Sequence, residues 1–168
     1  MKGPETEGHG HRYQDARGMP GGLRVIEFTV RRRPDLQVHE VVPRIDGHLL
    51  LDLIDRFETG SGMRPAGDVY GGLIPAYYRY GPLDEHFLGK ENSGLGPKTA
   101  VLGCECGEVG CWPLMTRITL TGDLVVWDAF EQVHRPNRDY AAFGPFLFDR
   151  AQYGQALGAL LRVEIEEE

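Results

Sequence analysis

Two alternating runs, Pro113–Thr121 and Leu124–Gln132, are joined by Gly122-Asp123, and this pairing constrains the fold more than any other stretch. Apolar and polar residues alternating on both sides of a two-residue glycine-containing turn predict an antiparallel hairpin whose register the turn fixes. With Thr121 facing Leu124, Leu120 falls opposite Val125 and Ile118 opposite Trp127 on one face. The other face brings Arg117 against Asp128, a complementary cross-strand pair. Carried to its open end, the same register sets Cys111 opposite His134.

A two-stranded hairpin is not stable alone, so further strands must extend it. Leu23–Arg32 places Ile26, Phe28 and Val30 on one face and predicts a strand, turned at Pro34-Asp35 into a return strand over Leu36–Val42. Thr99–Gly103 is short and apolar enough for another. Asp46 is placed to cap a helix from His48 to Thr59, with Leu50, Leu53, Ile54 and Phe57 as its buried stripe and Glu58 outside it. Asp149 is placed to cap a second helix, in which Tyr153, Leu157, Leu160 and Leu161 form the stripe. Between these elements, Tyr140, Phe143, Phe146 and Phe148 are expected to tie a turn-rich loop to the core. The expected architecture is α+β: an antiparallel sheet of about five strands with two helices packed on one side.

With 168 residues the chain is expected to form one domain over 23–163, with a disordered tail at 1–22 and a solvated acidic end at 164–168. A formal net charge of −7 argues against broad attraction to nucleic acid or to an anionic membrane. Neither a membrane-length apolar run nor the apolar core of a signal peptide is seen, so a cytoplasmic protein is expected. Arg31-Arg32-Arg33, at a hairpin tip in an acidic chain, is read as a solvated turn in preference to a phosphate patch. Residues 60–98 are broken by glycine and proline yet hold Tyr70, Tyr77, Tyr78, Tyr80 and Phe87. That composition predicts an ordered excursion over one side of the core, and a contact surface for a protein or small-molecule partner. Gly94–Thr99 lacks the glycine spacing of a phosphate loop.

All three cysteines lie in one short stretch: Cys104, Cys106 and Cys111, spaced C-x-C-x4-C, with Gly107 and Gly110 between them. In a reducing compartment such a cluster reads as metal-binding or buried before it reads as disulfide-bonded. Three thiolates on a glycine-containing turn can supply three corners of a zinc tetrahedron, and the hairpin register proposes His134 as the fourth, about 5 Å from Cys111 between β-carbons. Such a closed Cys3His site would be structural. With His134 displaced, a water would complete the site, and Glu108 is the nearest base for it. Two other readings stand beside zinc: small buried hydrophobes, and a redox pair in which Cys104 or Cys106 joins Cys111.

The C-x-C-x4-C spacing is similar to the zinc knuckle that follows the catalytic domain of SET methyltransferases, over those eight residues only. The fourth cysteine and the Asn-His catalytic motif of those enzymes are missing, so the resemblance carries ligand logic to Cys104, Cys106 and Cys111 and no activity. GCECGEVGCWPL (103–114), W-x-x-F-E-Q-x-H-R (127–135) and GPFLFDRAQY (144–153) together resemble a family of small uncharacterised bacterial proteins. That resemblance implies a shared fold and a bacterial source.

No complete catalytic constellation is present. Ser61 and Ser93 lie in glycine-rich loop without a nucleophile elbow, and His39, His48 and His86 lack spaced partners. Arg135, Arg138 and Asp139 beside His134 form the densest polar group after the cysteines, expected as a salt-bridged surface loop in preference to a pocket wall. The leading expectation is a binding or accessory protein with a structural zinc knuckle. The competing one is a small metal-dependent hydrolase using the cysteine turn and His134, its catalytic residues otherwise unassigned.

Overall fold

The computed structural model describes residues 22–77, 82–90 and 97–163. The expected tail (apart from Gly22), Tyr78, Tyr80, Ser93, residues 94–96 of Gly94–Thr99 and the acidic end lie outside the described residues. In chain order the elements are β1 (Leu23–Arg24), β2 (Ile26–Arg33), β3 (Val38–Ile45), β4 (His48–Leu49), α1 (Leu50–Gly60), β5 (Tyr70–Gly71), α2 (Leu83–Phe87), β6 (Thr99–Cys104), β7 (Leu114–Thr121), β8 (Leu124–Gln132), β9 (Phe146–Asp149) and α3 (Arg150–Leu161). The fold is α+β, with a six-stranded sheet in the order β1-β9-β8-β7-β6-β5 and a three-stranded sheet β2-β3-β4. All pairings are antiparallel except β1 with β9.

The first strand is therefore two. Val25 interrupts it: Asp46 Oδ1 accepts the Val25 N–H at 2.9 Å and the Asp46 N–H donates to the Val25 carbonyl at 2.8 Å. The chain crosses there from one sheet to the other. The same contacts take Asp46 away from helix capping. It sits in a turn at φ 52°, its carboxylate paired with Arg24, and α1 starts later, after β4, without a side-chain cap. The inner face of α1 runs through Leu50, Ile54 and Glu58, all fully buried, while Leu53 and Phe57 are half-buried. That face corrects the expected stripe at its last turn.

In α3 the cap is as expected, with Asp149 Oδ2 accepting the Gln152 N–H at 3.1 Å. Tyr153, Ala156, Leu157 and Leu160 are buried, whereas Leu161 is 52% exposed. Gln152 also bonds both backbone groups of Ile26, which fixes α3 against β2. Tyr140, Phe143, Phe146 and Phe148 are all buried, the last two within β9. One apolar cluster spans both sheets and includes Ile26, Val41, Leu102, Trp127 and Tyr153.

From Thr121↔Leu124 to Arg117↔Asp128 the β7–β8 register is the one the turn dictates. Beyond it the ladder slips by one residue, so Met115 faces Glu131 and Leu114 faces Gln132. Ala129, at φ 54°, is the extra residue of this bulge. Pro113 cannot donate to a ladder, and β7 starts only after it. The expected pairing of Cys111 with His134 is therefore lost.

Candidate functional site

β6 delivers Cys104 to a surface turn that returns through a 3-10 segment, Val109–Cys111, to β7. The turn is held at several points. Gly107 N–H donates to the Cys104 carbonyl at 3.0 Å, Glu105 N–H to Val69 at 3.0 Å, and Arg33 Nη2 to the Glu105 carbonyl at 2.7 Å. Gly107 has φ 103°, and a β-carbon there would come within 2.8 Å of the Tyr77 ring, so only glycine fits.

The turn carries all three thiols, with Cys106 as the residue whose pKa both others influence. Its own backbone N–H points at Cys104 Sγ, 3.4 Å away. Bonding from the Glu108 backbone, ahead of the opposing effect of burial and the help of the two neighbouring thiols, lowers the Cys106 pKa. Burial first of all pushes Cys104 up to about 11, while Cys111 is raised by its contact with Cys106. Cys106 is thus the one thiol of the trio whose pKa is lowered, and both it and Cys111 are exposed.

His134 does not join them. Its Nε2 lies 2.7 Å from the Gly110 carbonyl, at the rim of the turn and exposed. Among the described residues no group of three His, Cys, Asp or Glu side chains stands ready to hold a metal ion. Glu108 is exposed beside Cys106. Of the other histidines, His86 is buried with Nε2 2.8 Å from the Ala100 carbonyl, His39 is half-buried on β3, and His48 is exposed.

Beneath the turn lies a buried polar network that the sequence reading missed. Glu58 Oε2 accepts from Tyr70 Oη and Tyr140 Oη, both at 2.6 Å, and stands 3.4 Å from Arg138 Nη1. Gln132 Nε2 donates to Tyr70 Oη at 3.3 Å. Burial, then the bond to Glu58, raises Tyr70 far above the ordinary tyrosine value and pushes Tyr140 up to about 12. Trp112, directly after Cys111, carries Arg135 over its ring at 4.0 Å and Arg138 at 5.6 Å. Glu58 Oε1, Gln132 Oε1, Trp112 Nε1 and Arg138 Nη1 are all buried without a hydrogen-bond partner among the described residues. The loop with Arg138 is therefore no plain surface loop: the Arg138 side chain is only 8% exposed. One signal in the sequence could have found Glu58, because it continues Leu50 and Ile54 at helical spacing.

The arginine run is likewise more than a solvated turn. Arg31 and Arg33 both pair with Glu40, which is fully buried and also accepts from the Gly72 N–H at 2.8 Å. This links the β2–β3 hairpin to the segment before the cysteine turn, and uses those arginines internally.

Compared with known proteins, the chain matches no family model, no curated protein and no solved structure. No helix among the described residues is long and apolar enough to cross a membrane.

Proposed function

We propose that the chain is a binding or accessory protein, not an enzyme, and that its cysteine turn holds a structural zinc ion. The observation that carries the zinc reading is the placement of all three cysteines on one braced turn, with the Cys106 N–H 3.4 Å from Cys104 Sγ. Backbone bonding at Cys106 lowers its pKa and so favours the deprotonated state a metal requires. Cys106 and Cys111 are exposed, so their side chains can rotate to bring the sulfurs onto a common centre without disturbing the core. His134 sits one residue from Cys111 across the turn and becomes the fourth ligand by exchanging the Gly110 carbonyl for zinc. Four protein ligands close the site, which favours a structural over a hydrolytic role.

Elemental analysis of the untagged protein, with a count of reactive thiols before and after chelation, tests this. About one zinc per chain, with thiols silent until the metal is stripped, is expected. His134→Ala should weaken zinc retention by roughly 10- to 100-fold, the range for a disturbed metal site. Metal-free protein that takes up no added zinc, its Cys106 titrating freely, would remove the reading.

A further inference from the structure

β2 is an outer strand of the three-stranded sheet. Successive residues of an antiparallel strand turn their backbone groups alternately to one side and the other. Ile26 turns both of its groups away from β3, where the Gln152 amide donates to its carbonyl at 2.7 Å and accepts its N–H at 3.1 Å. Phe28, Val30 and Arg32 share that orientation, and Val41, paired with Val30, likewise bonds outward to Leu73. Among the described residues none bonds the backbone of those three on the outer side. Gln152 does for Ile26 what a further strand would do for Phe28, Val30 and Arg32.

The two halves of this edge differ in shape and charge. Beside Ile26–Thr29 lies a groove of about 440 Å³, its far wall formed by Gln152, Gln155, Ala156 and Ala159 of α3. Glu27 is the one charged residue that lines it, 66% exposed and 4.0 Å from Arg44. Beyond Thr29 the groove ends, and the strand runs on to the hairpin tip with Arg31, Arg32 and Arg33. Glu40 and Asp35 balance Arg31 and Arg33. The exposed Arg32 has no ion-pair partner among the described residues, so the tip is basic where the groove is acidic.

From these features we infer that two copies of the chain pair antiparallel along β2, about a two-fold axis at Val30. Val30 then faces Val30, Phe28 faces Arg32, Thr29 faces Arg31 and Glu27 faces Arg33, so no like charges stand opposite one another. The tip of each copy enters the groove of the other, its arginines toward Glu27. The added strand ends at Pro34, opposite Ile26, where Gln152 already occupies the edge. Three facing pairs form about six backbone hydrogen bonds, two for each pair. A single strand edge is a small interface, so the dimer is a transient one. The inference goes beyond the zinc reading, and no cysteine lies on β2.

The test is sedimentation equilibrium of the full chain from about 10 μM to about 1 mM, with amide hydrogen exchange followed by NMR at both limits. The mass should rise from monomer toward dimer. The Phe28, Val30 and Arg32 amides should exchange about threefold more slowly at the upper limit, as the monomer fraction falls. Val30→Pro removes an N–H that β3 does not use, a change an outer strand tolerates, and Glu27→Arg sets like charges opposite each other. Each should weaken pairing at least about tenfold while circular dichroism shows the chain folded. If Val30→Pro does not fold, Glu27→Arg decides alone. A monomer at every concentration, pairing undiminished in folded Glu27→Arg, or a dimer that leaves the three amides unprotected would overturn the assignment. So would slow exchange of those amides in the monomer, because the edge would then be covered from within the same chain.

Discussion

Glu58 shows how much one side chain can organise. A carboxylate with no solvent contact is costly unless other groups replace its water, and here two tyrosine hydroxyls donate to it and Arg138 ion-pairs with it, from three separate segments. Tyr70→Phe and Tyr140→Phe should each cost about 1.5–3 kcal/mol in urea unfolding, the value of a bond to a charged group. Because both hydroxyls serve the same oxygen, the double variant leaves Glu58 with Arg138 alone. It should exceed the sum of the singles by at least ~0.5 kcal/mol, and simple additivity would count against a shared network. The cysteines give a second expectation at this scale. Iodoacetamide should label Cys106 before Cys104 or Cys111, with a pH midpoint below that of a free thiol, as shown by peptide mapping of the metal-stripped protein. A lowered folded pKa means that this thiolate stabilises the fold above the unfolded thiol pKa and loses that contribution as pH falls through the folded one. Sequence pattern could place these residues on elements but could not pair them, since each partner of Glu58 comes from a distant loop or strand.

Among the elements, the β7–β8 hairpin was legible wherever its turn governs it, from Thr121 to Arg117. It was illegible beyond, because the bulge hinges on Ala129, an alanine in a backbone region that usually calls for glycine. That one slip is why Cys111 and His134 do not face each other. Ala129 is exposed and its side chain has no packing role to lose, so Ala129→Gly should relieve strain of about 1 kcal/mol. Scanning calorimetry should then show a melting temperature roughly 2–4 °C higher. An unchanged or lower value would mean that glycine's greater unfolded-state entropy cancels the relief. At α3 the capping signal was read correctly, and Asp149→Ala should cost about 1 kcal/mol. The failed cap at Asp46 shares its chemistry with the successful one at Asp149. What differs is that the Val25 N–H, brought from elsewhere in the chain, competes for the Asp46 carboxylate.

For the molecule as a whole, the α+β class followed from the periodicities of Ile26–Val30, Leu124–Gln132 and the two helical stripes. The division into two sheets did not, because it depends on the crossing at Val25 and on β1 pairing with β9, contacts between the two ends of the described chain. Tyrosines bind these parts together. Tyr153, fully buried, accepts from Trp127 Nε1 at 3.0 Å and donates to the Phe87 carbonyl, joining α3, β8 and α2, while Tyr70 and Tyr140 join α1, β5 and the loop after β8. Burial raises all three, Tyr140 to about 12 and the others further. A raised folded pKa gives stability that is complete below the ordinary tyrosine value of about 10 and drains away as pH rises through the folded value. Each of the three should withdraw about 1.4 kcal/mol per pH unit above that value, Tyr140 only up to its folded pKa of about 12. Together they withdraw about 4 kcal/mol per unit, so a domain of ordinary stability should unfold within roughly two to three units. Tyrosinate absorbance and circular dichroism followed together from neutral pH upward should therefore change in one cooperative step, with the buried tyrosines ionising as the fold is lost. Tyr140→Phe removes one of the three, so stability should fall less steeply with pH, whatever that variant loses at neutral pH. If instead the buried tyrosines ionise one by one while the dichroism holds, both the network around Glu58 and the Tyr153 link are open to solvent, and the fold must be held by its apolar cluster alone.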